Sequence, residues 1–87
     1  DIYLDTRGVA HLRAGRPQQA VSDLTAGLEQ AQRPETLFHL ALANEKRGST
    51  AEAQRWFRKA VDAGLTEKDV HPLEQADFNR LRVQFTN

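Results

Sequence analysis

Apolar residues recur along most of this chain at spacings of three and four, the signature of helices that bury one face. After Pro17, the positions Ala20, Val21, Leu24, Gly27, Leu28 and Ala31 fall on one side of a helix, and after Ser49 and Thr50 the positions Ala53, Trp56, Phe57, Ala60 and Val61 do the same. The stretches Ile2 to Ala14 and Thr36 to Arg47 are helix-compatible and run into Gly15 and Gly48, residues suited to the left-handed conformation that closes helices. Ala63 and Gly64 end the fourth stretch. No segment alternates apolar and polar residues as a half-buried strand would, so an all-α fold is predicted.

The pattern occurs twice. Laid over itself at a shift of 33 residues, Gly8 meets Ala41, Leu12 meets Glu45, Gly15 meets Gly48, Ala20 meets Ala53, Leu24 meets Phe57, Gly27 meets Ala60 and Leu28 meets Val61. Small residues meet small ones at most of these positions, and a fixed period of this length marks stacked supersecondary units. Two antiparallel helical hairpins are predicted, residues 1–33 and 34–64. Pro17 sits where a first helical turn tolerates a missing amide hydrogen, and the second helix is expected to stop near Arg33, around Pro34.

After Gly64 the period fails. Thr66 and Asp69 have the spacing of a capping box, and Pro72 then restricts His71, which predicts a short turn of helix followed by a fresh start. From Pro72 onward Phe78, Leu81 and Phe85 share one helical face with Leu73 beside them, while Ala76 and Val83 form a weaker second stripe. Residues 65–87 are therefore read as a capping segment, since a stack of hairpins needs an end that covers its last unit and shows water a polar back.

These residues resemble the tetratricopeptide repeats, whose helix–turn–helix unit of roughly 34 residues carries small and large apolar residues at fixed offsets. The first unit supplies Leu4, Gly8, Ala20, Leu24 and Gly27; the second supplies Leu37, Leu40, Ala41, Ala53, Phe57 and Ala60. Arg7, His11 and Asn44 depart from the pattern, standing where leucine or an aromatic is usual, and Gly27 replaces an alanine. The resemblance implies a fragment of a right-handed superhelical solenoid. His71-Pro72-Leu73-Glu74 with Asp77, Phe78 and Leu81 is similar to the tail of some bacterial members, which implies a native C-terminus near Asn87 and further repeats before Asp1. The absence of methionine, at the start and throughout, is likewise expected of a segment of a longer protein.

Charge narrows the function classes. The 12 basic and 12 acidic side chains cancel overall, and within each of the three segments they balance to within one charge. No one-signed field would draw nucleic acid or an anionic membrane. Arg55, Arg58 and Lys59 share their helix with Glu52 and Asp62 and read as a solvated face; Trp56 among them reads as a ring packed on the next helix or as a partner contact. No apolar run approaches the ~18–20 residues that span a bilayer, so no membrane insertion is expected. There is no cysteine, hence no disulfide framework, no zinc–thiolate site and no clue to compartment.

Candidate chemistry is sparse. His11, His39 and His71 lie on three separate elements without the spacing of a helix-borne metal motif. Ser22 and Ser49 have no nucleophile-elbow setting, and the glycines punctuate the repeat without forming a phosphate-binding loop. No enzyme, metal or cofactor is expected.

What the resemblance implies for binding is a concave groove lined by the first helix of each hairpin. It assigns Ile2, Asp5, Thr6, Val9, Leu12 and Arg13 from the first hairpin and Glu35, Phe38, His39, Leu42, Glu45 and Lys46 from the second. The sequence adds one independent pointer: Leu37, Leu40 and Ala41 make one apolar stripe on the third helix, and Phe38 and Leu42 make another. Something should cover Phe38 and Leu42, either the closing helix or preceding hairpin, or else an apolar peptide or a second copy of the chain. Asp5 with Val9 and Phe38 with Leu42 do not match the lysine and asparagine pairs of members that clamp a terminal carboxylate. The expected function is a protein-binding scaffold that reads apolar side chains, with Arg13 and Lys46 as peripheral charges. Self-association, or a structural end-cap for a longer repeat protein, is the alternative.

Overall fold

The computed structural model describes residues 2–86, the side chains of Ile2 and Thr86 apart. The chain forms five α-helices: α1 (Ile2–Arg13), α2 (Pro17–Gln30), α3 (Pro34–Lys46), α4 (Thr50–Asp62) and α5 (Gln75–Thr86). Two single 3-10 turns, Glu67–Asp69 and Pro72–Glu74, join α4 to α5. Among the described residues there is no strand. Consecutive helices from α1 to α4 pack on one another, α5 packs on α4, and α1 also touches α3.

Three glycines set the turns, and each does so in the same way. Gly15, Gly48 and Gly64 have φ of 77°, 85° and 97°, a region that costs a residue with a Cβ steric strain. After α1, Gly15 N–H donates to Leu12 O at 3.2 Å and Arg16 N–H to His11 O at 2.8 Å; after α3, Gly48 N–H donates to Glu45 O at 3.0 Å and Ser49 N–H to Asn44 O at 2.8 Å. After α4, Gly64 N–H and Leu65 N–H reach Val61 O and Ala60 O in the same pattern. This paired bonding is the Schellman motif, which satisfies the carbonyls a helix end would leave bare. The 33-residue self-match of the sequence thus reappears as matching hydrogen bonds.

Pro34 corrects one predicted boundary. It opens α3 at the first helical position, two residues before the expected start at Thr36, because its fixed φ suits a helix start and its missing N–H costs nothing there. Thr66 and Asp69 behave as their spacing suggested: Thr66 N–H donates to Asp69 Oδ2 at 2.8 Å and its hydroxyl donates to the same oxygen at 3.0 Å.

Close approach decides the packing of the first hairpin. A Cβ at Gly8 would stand 2.7 Å from Leu24 Cγ, so the absence of a side chain lets α2 seat Leu24 directly against α1. In the second hairpin and its cover the filler is aromatic. Phe38, Phe57, Phe78 and Phe85 are buried together, with Phe78 centred 5.6 Å from Phe38 and 5.4 Å from Phe57. Such offset and edge contacts add ~0.5–1.5 kcal/mol a pair beyond the area they bury. The face Phe78, Leu81 and Phe85 of α5 is buried, as its spacing suggested. Leu73 does not join it: Leu73 lies in the 3-10 turn before α5, out of helical phase with that face, and is 76 % exposed. Val83, on the weaker stripe, faces outward.

The polar departures from the repeat pattern are accommodated in pairs. Arg7 grips Asp23 with Nε and Nη2, each at 2.7 Å, and holds that carboxyl below the usual range; His11 Nε2 stands 3.6 Å from the same carboxylate. Asn44 is buried, donating to Leu40 O at 2.9 Å and accepting from Arg47 Nε at 3.0 Å.

Candidate functional site

The candidate groove residues lie on α1 and α3, which both pack against α2 and also touch each other. His39 is the structural centre of this face. It is 8 % exposed and stands between two carboxylates: Nε2 meets Glu74 Oε1 and Oε2 at 3.1 and 3.0 Å, and Nδ1 lies 3.5 Å from Asp5 Oδ1, an ion-pair distance rather than a formed hydrogen bond. Asp5 also accepts from Thr36 Oγ1 at 3.1 Å. One imidazole thus ties α1, α3 and the second 3-10 turn together.

Burial alone would strip His39 of its proton, but Asp5 and Glu74 outweigh that cost and push its pKa up to about 9. His39 in turn holds the Asp5 carboxyl below its ordinary value. The ring is therefore an imidazolium at neutral pH, with both nitrogens protonated and no lone pair to offer a metal or a base reaction. Among the described residues no group of three His, Asp or Glu side chains is placed to hold a metal ion.

On either side of the His39–Glu74 bridge lies a cleft. The first, about 280 Å³, is lined by Asp5, Arg33, Glu35, His39, Asp69 and His71, with Glu74 at its edge. The second, about 430 Å³, is lined by Leu12 and Arg13 from α1, Leu42 and Lys46 from α3, and Leu73 and Asp77 from the closing segment, with Glu74 again shared. Four of the eight principal groove candidates, Leu12, Arg13, Leu42 and Lys46, are thus brought to one place. Leu12 and Leu42 form its buried floor. Arg13 and Lys46 are exposed and, among the described residues, form no hydrogen bond or ion pair.

The other candidates fall differently. Phe38 is corrected: its ring is 0 % exposed, covered by Phe78 of α5 and edged by Phe57 of α4, so the closing helix supplies the cover that the doubly apolar α3 required. His39 is held by intramolecular carboxylates and is not a free contact. Val9 is half-buried and lines neither cleft. Glu45 pairs with Arg80 of α5, Thr6 is exposed, and the side chain of Ile2 lies outside the described residues. Trp56 is partly buried, with Arg55 and Lys59 over its ring at 4.9 and 5.2 Å.

Sequence reasoning missed Glu74, Asp77 and Leu73 as lining residues. Their one signal was the offset between Leu73 and the Phe78–Leu81–Phe85 face, which places Leu73 out of register with a single helix. No helix among the described residues is long and apolar enough to cross a membrane. Comparison with protein-family models, curated proteins and solved structures gives no match.

Proposed function

We propose that this chain is a non-enzymatic interaction module: two tetratricopeptide-like hairpins and a cap, the end of a right-handed solenoid, that bind a protein or peptide segment across α1 and α3. The repeat in sequence and the matching turns after α1 and α3 support the architectural part. The observation that carries the functional part is the convergence of Leu12, Arg13, Leu42 and Lys46 on one half-open cleft of about 430 Å³, a volume within the range of ligand sites. Its apolar floor would take a side chain of an extended or helical segment, and its charged rim would orient the backbone.

The test is selection from a display library of random peptides blocked at both ends. Bound peptides are then mapped by amide chemical-shift changes on the labelled chain. Shifts centred on Leu12, Arg13, Leu42 and Lys46 support the reading; selected peptides that perturb only the outer faces of α2 and α4 would sink it. Self-association is the second reading, favoured by the 76 % exposure of Leu73 at the rim of the same cleft. Sedimentation of the wild type and of Leu73→Ser over a concentration series decides it, because a pair built on that leucine dissociates in the variant.

A further inference from the structure

The 430 Å³ cleft carries no net charge, but its charges are sorted by element. Arg13 and Lys46 come from α1 and α3; Glu74 and Asp77 come from the closing segment. The side chains of Arg13 and Lys46 are exposed and form no hydrogen bond or ion pair among the described residues. On the closing segment the carboxylates outnumber their cations, since His39 serves both Asp5 and Glu74, and Arg80 serves both Glu45 and Asp77. Glu74 is buried, whereas Asp77 keeps 37 % of its side chain exposed. Such a cleft favours neither an acidic nor a basic partner. It suits a surface that carries both charges itself.

The leucines divide in the same way. Leu12 of α1 and Leu42 of α3 form the buried floor, but Leu73 of the closing segment lines the same cleft and is 76 % exposed, more than any other large apolar side chain among the described residues. Leu73 therefore borders the cleft without filling it. It stands four residues before Asp77, so the closing segment carries a leucine and a carboxylate as a plug. The ends of α1 and α3 carry a leucine floor and two cations as a socket, and the stems of Arg13 and Lys46 can flank an inserted leucine while their charged ends stay in water. Plug and socket adjoin on one chain. That is what a self-complementary contact requires: about a two-fold axis, each copy offers what the other accepts.

We propose that the occupant of this cleft is a second copy of the chain, docked about a two-fold axis so that Leu73 of each copy enters the other's cleft over Leu12 and Leu42, and Asp77 of each meets the other's Arg13 and Lys46. The inference rests on the self-association reading and adds its symmetry and its contacts. Two leucines and their flanking charges make a small interface, so the pair is weak and reversible. The charges orient the docking more than they add affinity.

Sedimentation equilibrium of the wild type, Leu73→Ser, Asp77→Arg, R13E/K46E and an equimolar mixture of the last two tests it. Wild type should pass from monomer to dimer, and no further, by about 1 mM, with the dimer weakened as salt is raised. Leu73→Ser removes an apolar contact from each half of the pair and should weaken it about a hundredfold. Asp77→Arg and R13E/K46E should each be monomeric, because their own pairs set like charges together in both halves. Their mixture should dimerise again, since both halves of a mixed pair regain opposite charges; that rescue also shows that both variants are folded. A wild type that stays monomeric at about 1 mM overturns the proposal and the self-association reading together, leaving the cleft to a partner of another sequence. A wild-type dimer that survives the charge variants, or that they abolish without rescue in the mixture, overturns the two-fold contact while self-association stands. Growth beyond the dimer does the same, because head-to-tail contacts do not close. Leu73 is exposed, so its replacement leaves the core intact, and a Leu73→Ser chain that pairs as well as wild type overturns the proposal whatever the charge variants do.

Discussion

Taking the folded chain from below pH 6.5 to above pH 9 should remove the stabilisation that His39 supplies, and the two flanking carboxylates fix its sign. The imidazolium has its pKa raised from 6.5 to about 9 by Asp5 and Glu74. At ~1.4 kcal/mol for each tenfold change in proton affinity, that rise is worth about 3 kcal/mol. Between the two values the native state holds a proton that the unfolded chain has lost, so stability falls as pH rises. It is fully present below 6.5 and gone once pH has passed through about 9. Lys and Tyr ordinarily titrate near 10 and above, and an α-amino group, which ordinarily titrates near 8, does so in wild type and in His39→Gln alike. Urea unfolding followed by helical circular dichroism and Trp56 fluorescence, repeated across this range, measures the fall. His39→Gln, which keeps polarity and loses the charge, should be less stable than wild type at pH 6.5 and should show a flat profile. An equally steep fall in His39→Gln, or a flat wild-type profile, would refute the reasoning. For a chain of this size a loss of 3 kcal/mol is a large share of a total of roughly 5–15 kcal/mol.

Two packing predictions can be checked by the same unfolding experiment. Phe78→Ala deletes the ring that covers both Phe38 and Phe57 and should cost about 3–5 kcal/mol; a loss under ~1 kcal/mol would mean that α5 is not the cover. Gly8→Ala gains ~1 kcal/mol of helix propensity but forces a Cβ to 2.7 Å from the fully buried Leu24, an overpacking cost of about 1–3 kcal/mol. The expected net result is a loss of about 1 kcal/mol that vanishes when Gly8→Ala is made in a Leu24→Ala background; a loss that persists relative to Leu24→Ala alone would place the cause elsewhere.

Much of the fold was legible because its determinants are local. The turns at Gly15, Gly48 and Gly64 follow from glycines placed at helix ends, and the buried face of α5 follows from the spacing of Phe78, Leu81 and Phe85. The site was legible only in part. Arg13 and Lys46 could be matched through the 33-residue repeat, whereas Leu12 and Leu42 came from the groove positions that the family resemblance implied. The bridge from His39 to Glu74 could not, because its ends are 35 residues apart and a carboxylate carries no mark of the cation it will meet. Phe38 illustrates the same limit: periodicity said that it needed cover, but only the path of the chain after Gly64 determines that Phe78 provides it. The start of α3 was set two residues late, at Thr36, because proline is compatible both with ending one helix and with beginning the next.

The ring of His39 also makes two distant parts of the chain answer to one another. Asp5 belongs to the first helix and Glu74 to the segment that closes the last one, yet each helps to keep the same proton in place. A change that loosens the closing segment lowers the affinity of His39 for its proton and thereby weakens the hold on Asp5; pulling on the first helix acts on the closing segment to the same extent, as linkage requires. The first helix and the closing segment are thus coupled through the protonation of one imidazole, whose two nitrogens face Asp5 and Glu74.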